Sequence, residues 1–272
     1  MGGLGNQLFQ IFATISYAIR SNNEFIFPNV YQLDSKRHTY WETFLANLKP
    51  FTCDSISPTK FIRQQGFHYQ DLNIEEMKND NTCIYGYFQS WKFFQDNYDY
   101  IYNLLEIKKQ SELVAQKARL IDHATTISLH FRLGDYKAIR HLHPIMPYEY
   151  YRESIHLING KCNVENIVYF CEDEDFAQVV HTVSKLMMDF PRLTFARAPS
   201  ELEDWEQMLL MSCCAHNVIA NSSFSWWAAY FNSNPNKIVC YPSQWFGPQR
   251  CNPATRDFHD TSDLCPDSWH KI

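Results

Sequence analysis

The sequence has no C-x-x-C pair, no run of basic residues and no apolar stretch near the ~18 residues of a membrane-spanning helix. Each absence removes a class. Without a basic tract, and with a formal net charge of −6, a nucleic-acid backbone is excluded as partner. Nine cysteines are scattered in an odd-numbered set that shows no zinc spacing, so reduced thiols are expected, which favours a reducing compartment. No signal-peptide pattern opens the chain. The one glycosylation sequon, Asn221-Ser222-Ser223, lies inside a motif that a glycan would obstruct. The expected location is therefore the cytoplasm. Glycine is also scarce: of eight in the whole chain, three stand at Gly2, Gly3 and Gly5.

What is present is a large apolar complement, 45% hydrophobic and 16% aromatic, in 272 residues. That exceeds the usual ~100–150-residue domain, so two lobes or one large α/β unit are expected. The second half alternates strand and helix signals. Strands are expected near 126–131, at Asn166–Cys171, Leu193–Ala196, Val218–Ala220 and Ile238–Tyr241. Helices are expected at Tyr148–Ile158, Asp175–Met188, Glu203–Cys214 and Phe224–Phe231. This is the pattern of a doubly wound parallel sheet. The first half is less regular. It shows a helix from Asn6 to about Arg20, aromatic-rich segments at Tyr40–Phe51 and Cys83–Phe94, and one or two helices between Asp99 and Ile121. The lobe boundary is placed near His123, giving an N-terminal lobe of 1–123 and a C-terminal lobe of 124–272.

Three clusters carry chemistry. His130-Phe131-Arg132-Leu133-Gly134-Asp135-Tyr136 follows a strand, where ligands bind in α/β sheets. The guanidinium of Arg132 would match phosphate oxygens two at a time; the alternative is an Arg132–Asp135 ion pair closing a surface turn. Gly2, Gly3 and Gly5 precede a helix start, where backbone amides face an anion. The G-x-G-x-x-G fingerprint is not met, because Leu8 stands at the third glycine, and a plain capping turn is the alternative. Asn221-Ser222-Ser223-Phe224-Ser225-Trp226-Trp227-Ala228-Ala229 places hydroxyls and an amide between a strand and a helix. They can cap that helix and still face a ligand. Trp226 and Trp227 read as core.

These three motifs, in this order, resemble glycosyltransferase family 11, the α-1,2-fucosyltransferases. Met146-Pro147-Tyr148-Glu149-Tyr150-Tyr151 and Leu210-Met211-Ser212, followed by Cys214 and His216, are similar to further family segments. The resemblance spans residue 1 to about 245. It implies a two-lobed GT-B-like fold and inverting transfer of L-fucose from GDP-fucose to a sugar hydroxyl, plausibly α-1,2 to a terminal β-galactoside. The acceptor is a glycan or oligosaccharide, entering between the lobes, and no cofactor or metal is implied. Carried over, Arg132 is the catalytic donor-phosphate arginine, oriented by Asp135. Gly3, Gly5, Asn6, His130, Ser222, Ser223 and Phe224 are the implied donor contacts.

Three departures stand out. Leu133 occupies a position where family members carry a second arginine, which Arg140 or Lys137 would have to replace. Gln207 stands where an acid is usual; if that acid reads guanine, Gln207 accepts only one bond through its single oxygen, or Glu206 substitutes. A strand that normally precedes the glycine loop is missing, so a truncated chain or a late start is expected, with an element lost from the N-terminal sheet. These departures also fit a non-catalytic nucleotide- or sugar-binding relative. Asp173-Glu174-Asp175 fits a competing class, a transferase of another nucleotide sugar that holds magnesium or manganese. His141 and His143 form a weaker metal pair. No catalytic base is legible; His143, Glu149 and Asp173 lie near motifs, and none is assigned.

Overall fold

The computed structural model describes residues 1–34, 37–78, 80–119, 123–255 and 257–272. The chain divides into two compact units: Met1–Lys108 with Phe258–Pro266, and Lys109–Asp257 with Asp267–Ile272. This division differs from the one expected at His123 for a physical reason. In the helix Ile107–Lys117, Ser111 Oγ lies 3.4 Å from Ser212 Oγ, and Lys117 donates to both carboxylate oxygens of Glu206. Near the C-terminus, Asp263 accepts from Tyr69 N at 2.8 Å, and its carbonyl accepts from Ser90 Oγ at 2.7 Å. Phe258–Pro266 thereby returns to the first unit.

The N-terminal unit is organised on helix α1, Leu4–Ser21. Leu8, Phe9, Phe12 and Ile15, spaced on one helical face, are fully buried. Phe12 meets Phe94 edge-on at 5.3 Å between ring centroids. The helix stops where Asn22 adopts a left-handed conformation, φ 55°, a geometry asparagine tolerates. Four short strands follow: β1 (Phe27–Pro28), β2 (Thr52–Cys53), β3 (Lys60–Arg63) and β4 (Thr82–Tyr85). They form two separate parallel pairs, β1 with β2 and β3 with β4. Helix α2 (Tyr98–Leu104) closes the unit and leads to α3 (Ile107–Lys117). The expected helical region thus holds two helices, and its end at Ile121 lies outside the described residues.

The C-terminal unit is the expected doubly wound sheet. Its strands are β5 (Thr126–His130), β6 (Asn166–Phe170), β7 (Thr194–Arg197), β8 (His216–Val218), β9 (Val239–Tyr241) and β10 (His270–Lys271). Their order is β10-β9-β8-β5-β6-β7, and every pairing is parallel. The helices are α4 (Tyr148–Asn159), α5 (Phe176–Asp189), α6 (Asp204–Ser212), α7 (Ser223–Phe231) and a short α8 (Pro248–Cys251). Strand alternation assigns the two faces. Ile127 and Leu129 of β5 join Tyr151 and Ile155 of α4 and Val183 of α5 in one core. Ser128, between them, accepts from Asn217 Nδ2 at 2.7 Å, and that amide also donates to Met211 O of α6 at 2.8 Å.

The chain runs outward through β5, β6 and β7, then returns to lay β8 on the other side of β5. Between β5 and β8 the winding therefore reverses. In open α/β sheets, ligands bind outside the carboxyl ends of strands at such a switch point.

Candidate active site at the switch point

Arg132 follows β5 and Ser222 follows β8, so two of the three sequence clusters flank the reversal. His130, Arg132, Asp135, Ser222, Ser223 and Phe224 all belong to the C-terminal unit, whereas Gly3, Gly5 and Asn6 belong to the N-terminal one.

The loop after β5 is held from below. Asp175, only 1% exposed, accepts from Gly134 N at 2.6 Å and from Lys137 Nζ at 2.5 Å. Gly134 has φ +32°, and a Cβ there would come within 2.7 Å of Glu172 Oε2, so glycine suits the turn. Arg132 donates to Glu172 and to Asp135, and its Cζ lies 5.1 Å from the Tyr136 ring centroid. Burial alone would lower the arginine pKa, but the charges of Glu172 and Asp135 raise it above its ordinary value. The guanidinium is a permanent cation held between two carboxylates. Of the two readings left open by the sequence, the Arg132–Asp135 ion pair is formed, at the strand end where the other would place an anion receptor.

Tyr136 joins this loop to the serine motif by donating from its hydroxyl to Asn221 O at 3.1 Å. The Asn221 amide nitrogen donates to Pro144 O and Trp245 O, both at 3.0 Å, binding two further loops to the strand end. Its N–H groups are thus committed to protein carbonyls rather than aimed outward. Ser222 caps α7 by accepting from Phe224 N at 3.3 Å. Phe224 is half-buried, with its ring centroid 5.6 Å from that of His130. Trp226 and Trp227 are fully buried, as expected of core residues.

His130 is buried, and its Nδ1 has no hydrogen-bond partner among the described residues. Burial, then the Arg132 charge, lowers its pKa to about 3. The ring is therefore neutral at physiological pH and keeps one donor and one acceptor nitrogen.

Other expectations resolve differently. Leu133 is 4% exposed and belongs to the core containing Ile127 and Tyr169; it fills the interior and lines no cationic site. Lys137 is engaged by Asp175 and Arg140 is exposed. Glu206 closes a capping box with Glu203 and pairs with Lys117, so its oxygens are occupied. Gln207 donates to Leu202 O at 3.0 Å. Asp173 pairs with Arg197. Among the described residues no group of three or more His, Cys, Asp or Glu side chains could hold a metal ion. His143 stacks on Tyr136 at 4.6 Å and contacts Arg250 at 3.1 Å. Sequence reasoning missed Glu172 as a partner of Arg132 and met Asp175 only in the competing metal-dependent reading, not as a loop anchor.

In the N-terminal unit, Gly3 is the N-cap of α1 and supplies no side chain, while Gly5 lies buried in the first turn. Gly2 has φ +82°, and a Cβ there would fall 2.4 Å from Asn6 Nδ2. Asn6 Oδ1 accepts from Gln89 Nε2 at 2.7 Å. The first turn contains no acid, which leaves the positive helix end uncompensated from within.

Residues 59–252 match the model of glycosyl transferase family 11. The chain belongs to this family. It is 27% identical to the O-antigen biosynthesis glycosyltransferase WbnK of Escherichia coli, over 94% of this chain and 96% of that protein. It is 23% identical to an alpha-1,2-colitosyltransferase of Escherichia coli, over 100% and 96% respectively. A solved glycosyl transferase family 9 structure from Veillonella parvula superposes with a TM-score of 0.35 at 14% identity, over 61% of this chain and 39% of that one. The family 11 protein is thus a glycosyltransferase, taking a nucleotide-sugar donor and a glycan acceptor. Among the described residues no helix is long and apolar enough to cross a membrane.

Proposed function

We propose that the enzyme transfers L-fucose from GDP-fucose, with inversion, to a sugar hydroxyl, forming an α-1,2 linkage to a terminal β-galactoside. The observation that carries this reading is Arg132 at the switch point, fixed by Asp135 and Glu172 beside the N-terminus of α7. A guanidinium and a positive helix end together suit a diphosphate. Charge grows on the departing nucleotide, so the contribution of Arg132 increases in the transition state. His130, Ser222, Ser223 and Phe224 contact the donor from the same edge of the C-terminal sheet. With a pKa of about 3, His130 is neutral at pH 7 but too weakly basic to suit a general base, and its role is donor binding. No metal takes part. The α-1,2 linkage is supported by the name of the colitosyltransferase relative, which also supports a second reading with activated colitose as donor.

The test is a donor panel, GDP-fucose and nucleotide-activated colitose among them, offered with a set of galactosides and read by mass. Transfer from GDP-fucose supports the proposal, and exclusive transfer from another donor overturns it. GDP binding without turnover on any acceptor would mark a binding module. Arg132→Ala should cost about 1.5–3 kcal/mol of charge-assisted bonding, roughly 10- to 150-fold, expressed mainly in kcat. Near-normal kcat in that variant sinks the mechanism.

A further inference from the structure

The loop after β9 carries a cation outside the three motifs. Arg250 lies in α8; its Nη1 is 3.1 Å from His143 Nε2, and its Cζ is 5.4 Å from the Phe246 ring centroid. A guanidinium can only donate, so His143 Nε2 accepts and the imidazole is neutral with its proton on Nδ1. Among the described residues no carboxylate pairs with Arg250, and its Nη2 and Nε have no protein acceptor. The residue is nonetheless half-buried, where an unpaired charge is costly. Arg250 also belongs to the switch point. Gly247 N donates to Leu142 O at 2.8 Å, and a Cβ on Gly247 would fall 2.0 Å from His141 O, so the two loops meet backbone to backbone. Asn221 ties Trp245 to the end of β8. His143 stacks on Tyr136, whose ring also meets Arg132. Burial raises the Tyr136 pKa, while the charges of Arg132 and Arg250 both lower it; the two guanidinium groups act on one hydroxyl.

Charge balance separates Arg250 from the other cations of these strand ends. Arg132 stands between Asp135 and Glu172, Lys137 is matched by Asp175, and Arg197 by Asp173. Three cations thus face four carboxylates, and the positive end of α7 offsets only about half a charge. Without Arg250 the edge would repel a polyanion. We propose that Arg250 is a second cation on the donor diphosphate, closing on the leaving group from the β9 side while Arg132 holds it from the β5 side. This role presupposes the nucleotide-sugar donor proposed above. Arg132 has to exchange a carboxylate for the phosphate, whereas the Nη2 edge of Arg250 has no anion to give up. Arg250 therefore strengthens ground state and transition state alike and acts on donor affinity, while Arg132 acts on turnover.

Calorimetry with GDP and with guanosine compares the 272-residue chain, Arg250→Gln and Arg250→Lys. Glutamine keeps a donor for His143 and removes the charge; lysine keeps the charge and removes the fork. In Arg250→Gln, GDP affinity should fall by roughly ten-fold or more, with guanosine affinity kept within about two-fold and lysine restoring part of the loss. Donor KM should rise in step while kcat changes less than about three-fold. GDP binding in Arg250→Gln within about two-fold of the parent overturns the role of Arg250 alone. Equal losses for GDP and guanosine also overturn it, because Arg250 would then only hold its loop, and so does a change confined to acceptor KM. If the glutamine variant does not fold, the lysine variant decides: a loss for GDP exceeding that for guanosine supports the role, and equal losses refute it. A parent that binds neither probe nor any other nucleoside diphosphate overturns the donor reading together with this role. A parent that binds a different nucleoside diphosphate overturns only the guanine assignment, and that diphosphate and its nucleoside then serve as the probes.

Discussion

Asp175 gives the sharpest test of how the arginine loop is built. Its carboxylate side chain is 2% exposed, while that of its partner Lys137 is 39% exposed. The two losses on truncation therefore differ. Lys137 can be rehydrated, so losing that bond costs about 1.5 kcal/mol, the low end for a hydrogen bond to a charged group. The Gly134 amide is only half-buried but lies under the loop, and leaving it unmet costs about 1–3 kcal/mol. Asp175→Ala should thus destabilise by roughly 3–4 kcal/mol, near the lower end for breaking a buried pair. Asp175→Asn keeps one oxygen for the amide and should lose about half as much. At ~2–4 °C per kcal/mol for a protein of this size, Tm should fall by roughly 6–15 °C for alanine. A loosened loop misplaces Arg132, and a shift of ~1 Å can cost about 100-fold in turnover. Thermal denaturation and steady-state transfer kinetics at a fixed donor concentration check both effects. An alanine variant that melts within a degree of the parent and turns over normally refutes the anchoring role. If Asp175 instead held a catalytic metal, the asparagine variant would keep its Tm, lose turnover, and belong to an enzyme that EDTA inhibits.

The unmodified enzyme should keep full transfer activity in EDTA; inhibition reversed by added magnesium or manganese would restore the metal-dependent class. His130 sets an acid limit. Its folded pKa of about 3 lies below the ordinary 6.5, so between these values the unfolded chain binds more protons and stability falls as pH drops. The loss approaches roughly 4 kcal/mol across that window; His130→Gln should flatten Tm between pH 6.5 and 4, and an unchanged slope rejects the assignment. Trp227→Ala should cost about 3–5 kcal/mol by opening a cavity in the core. Calorimetry on the fraction that remains folded should find GDP affinity within a few-fold of the parent; a large loss would make Trp227 a ligand contact.

Legibility followed the range of the interactions. The alternation from Thr126 to Tyr241 announced the sheet, helped by Asn166–Phe170, which is buried along most of its length and reads as an apolar run. The N-terminal unit was opaque: β1 and β2 are two residues each, too short for any periodicity to register. Helix α1 was visible but began at Leu4 rather than Asn6, since its cap is a glycine without a side-chain signature. The return of Phe258–Pro266 to the first unit depends on Asp263 meeting Tyr69 and Ser90, contacts that leave no local pattern. Leu133 was misleading because a motif position was taken for a site-facing one. The side chain points into the core, and only burial could reveal that.

Glu172 sharpens what the arginine can do in the proposed reaction. It lies beyond β6, and nothing in the heptapeptide points to it. With Glu172 and Asp135 both on its guanidinium, Arg132 is oriented before the donor arrives, but its fork already has anionic partners. A diphosphate therefore exchanges with a carboxylate and gains little in the ground state, because one charge-assisted pair replaces another. The balance changes when the sugar–phosphate bond lengthens. The departing phosphate then carries more charge than the carboxylate it displaced, and the difference appears only at the transition state, where it accelerates the reaction. By this reasoning Glu172→Gln should tighten GDP binding while raising kcat little, since removing the competing charge strengthens ground and transition states alike. Weaker GDP binding in that variant would show that Glu172 holds the arginine in place rather than competing for it.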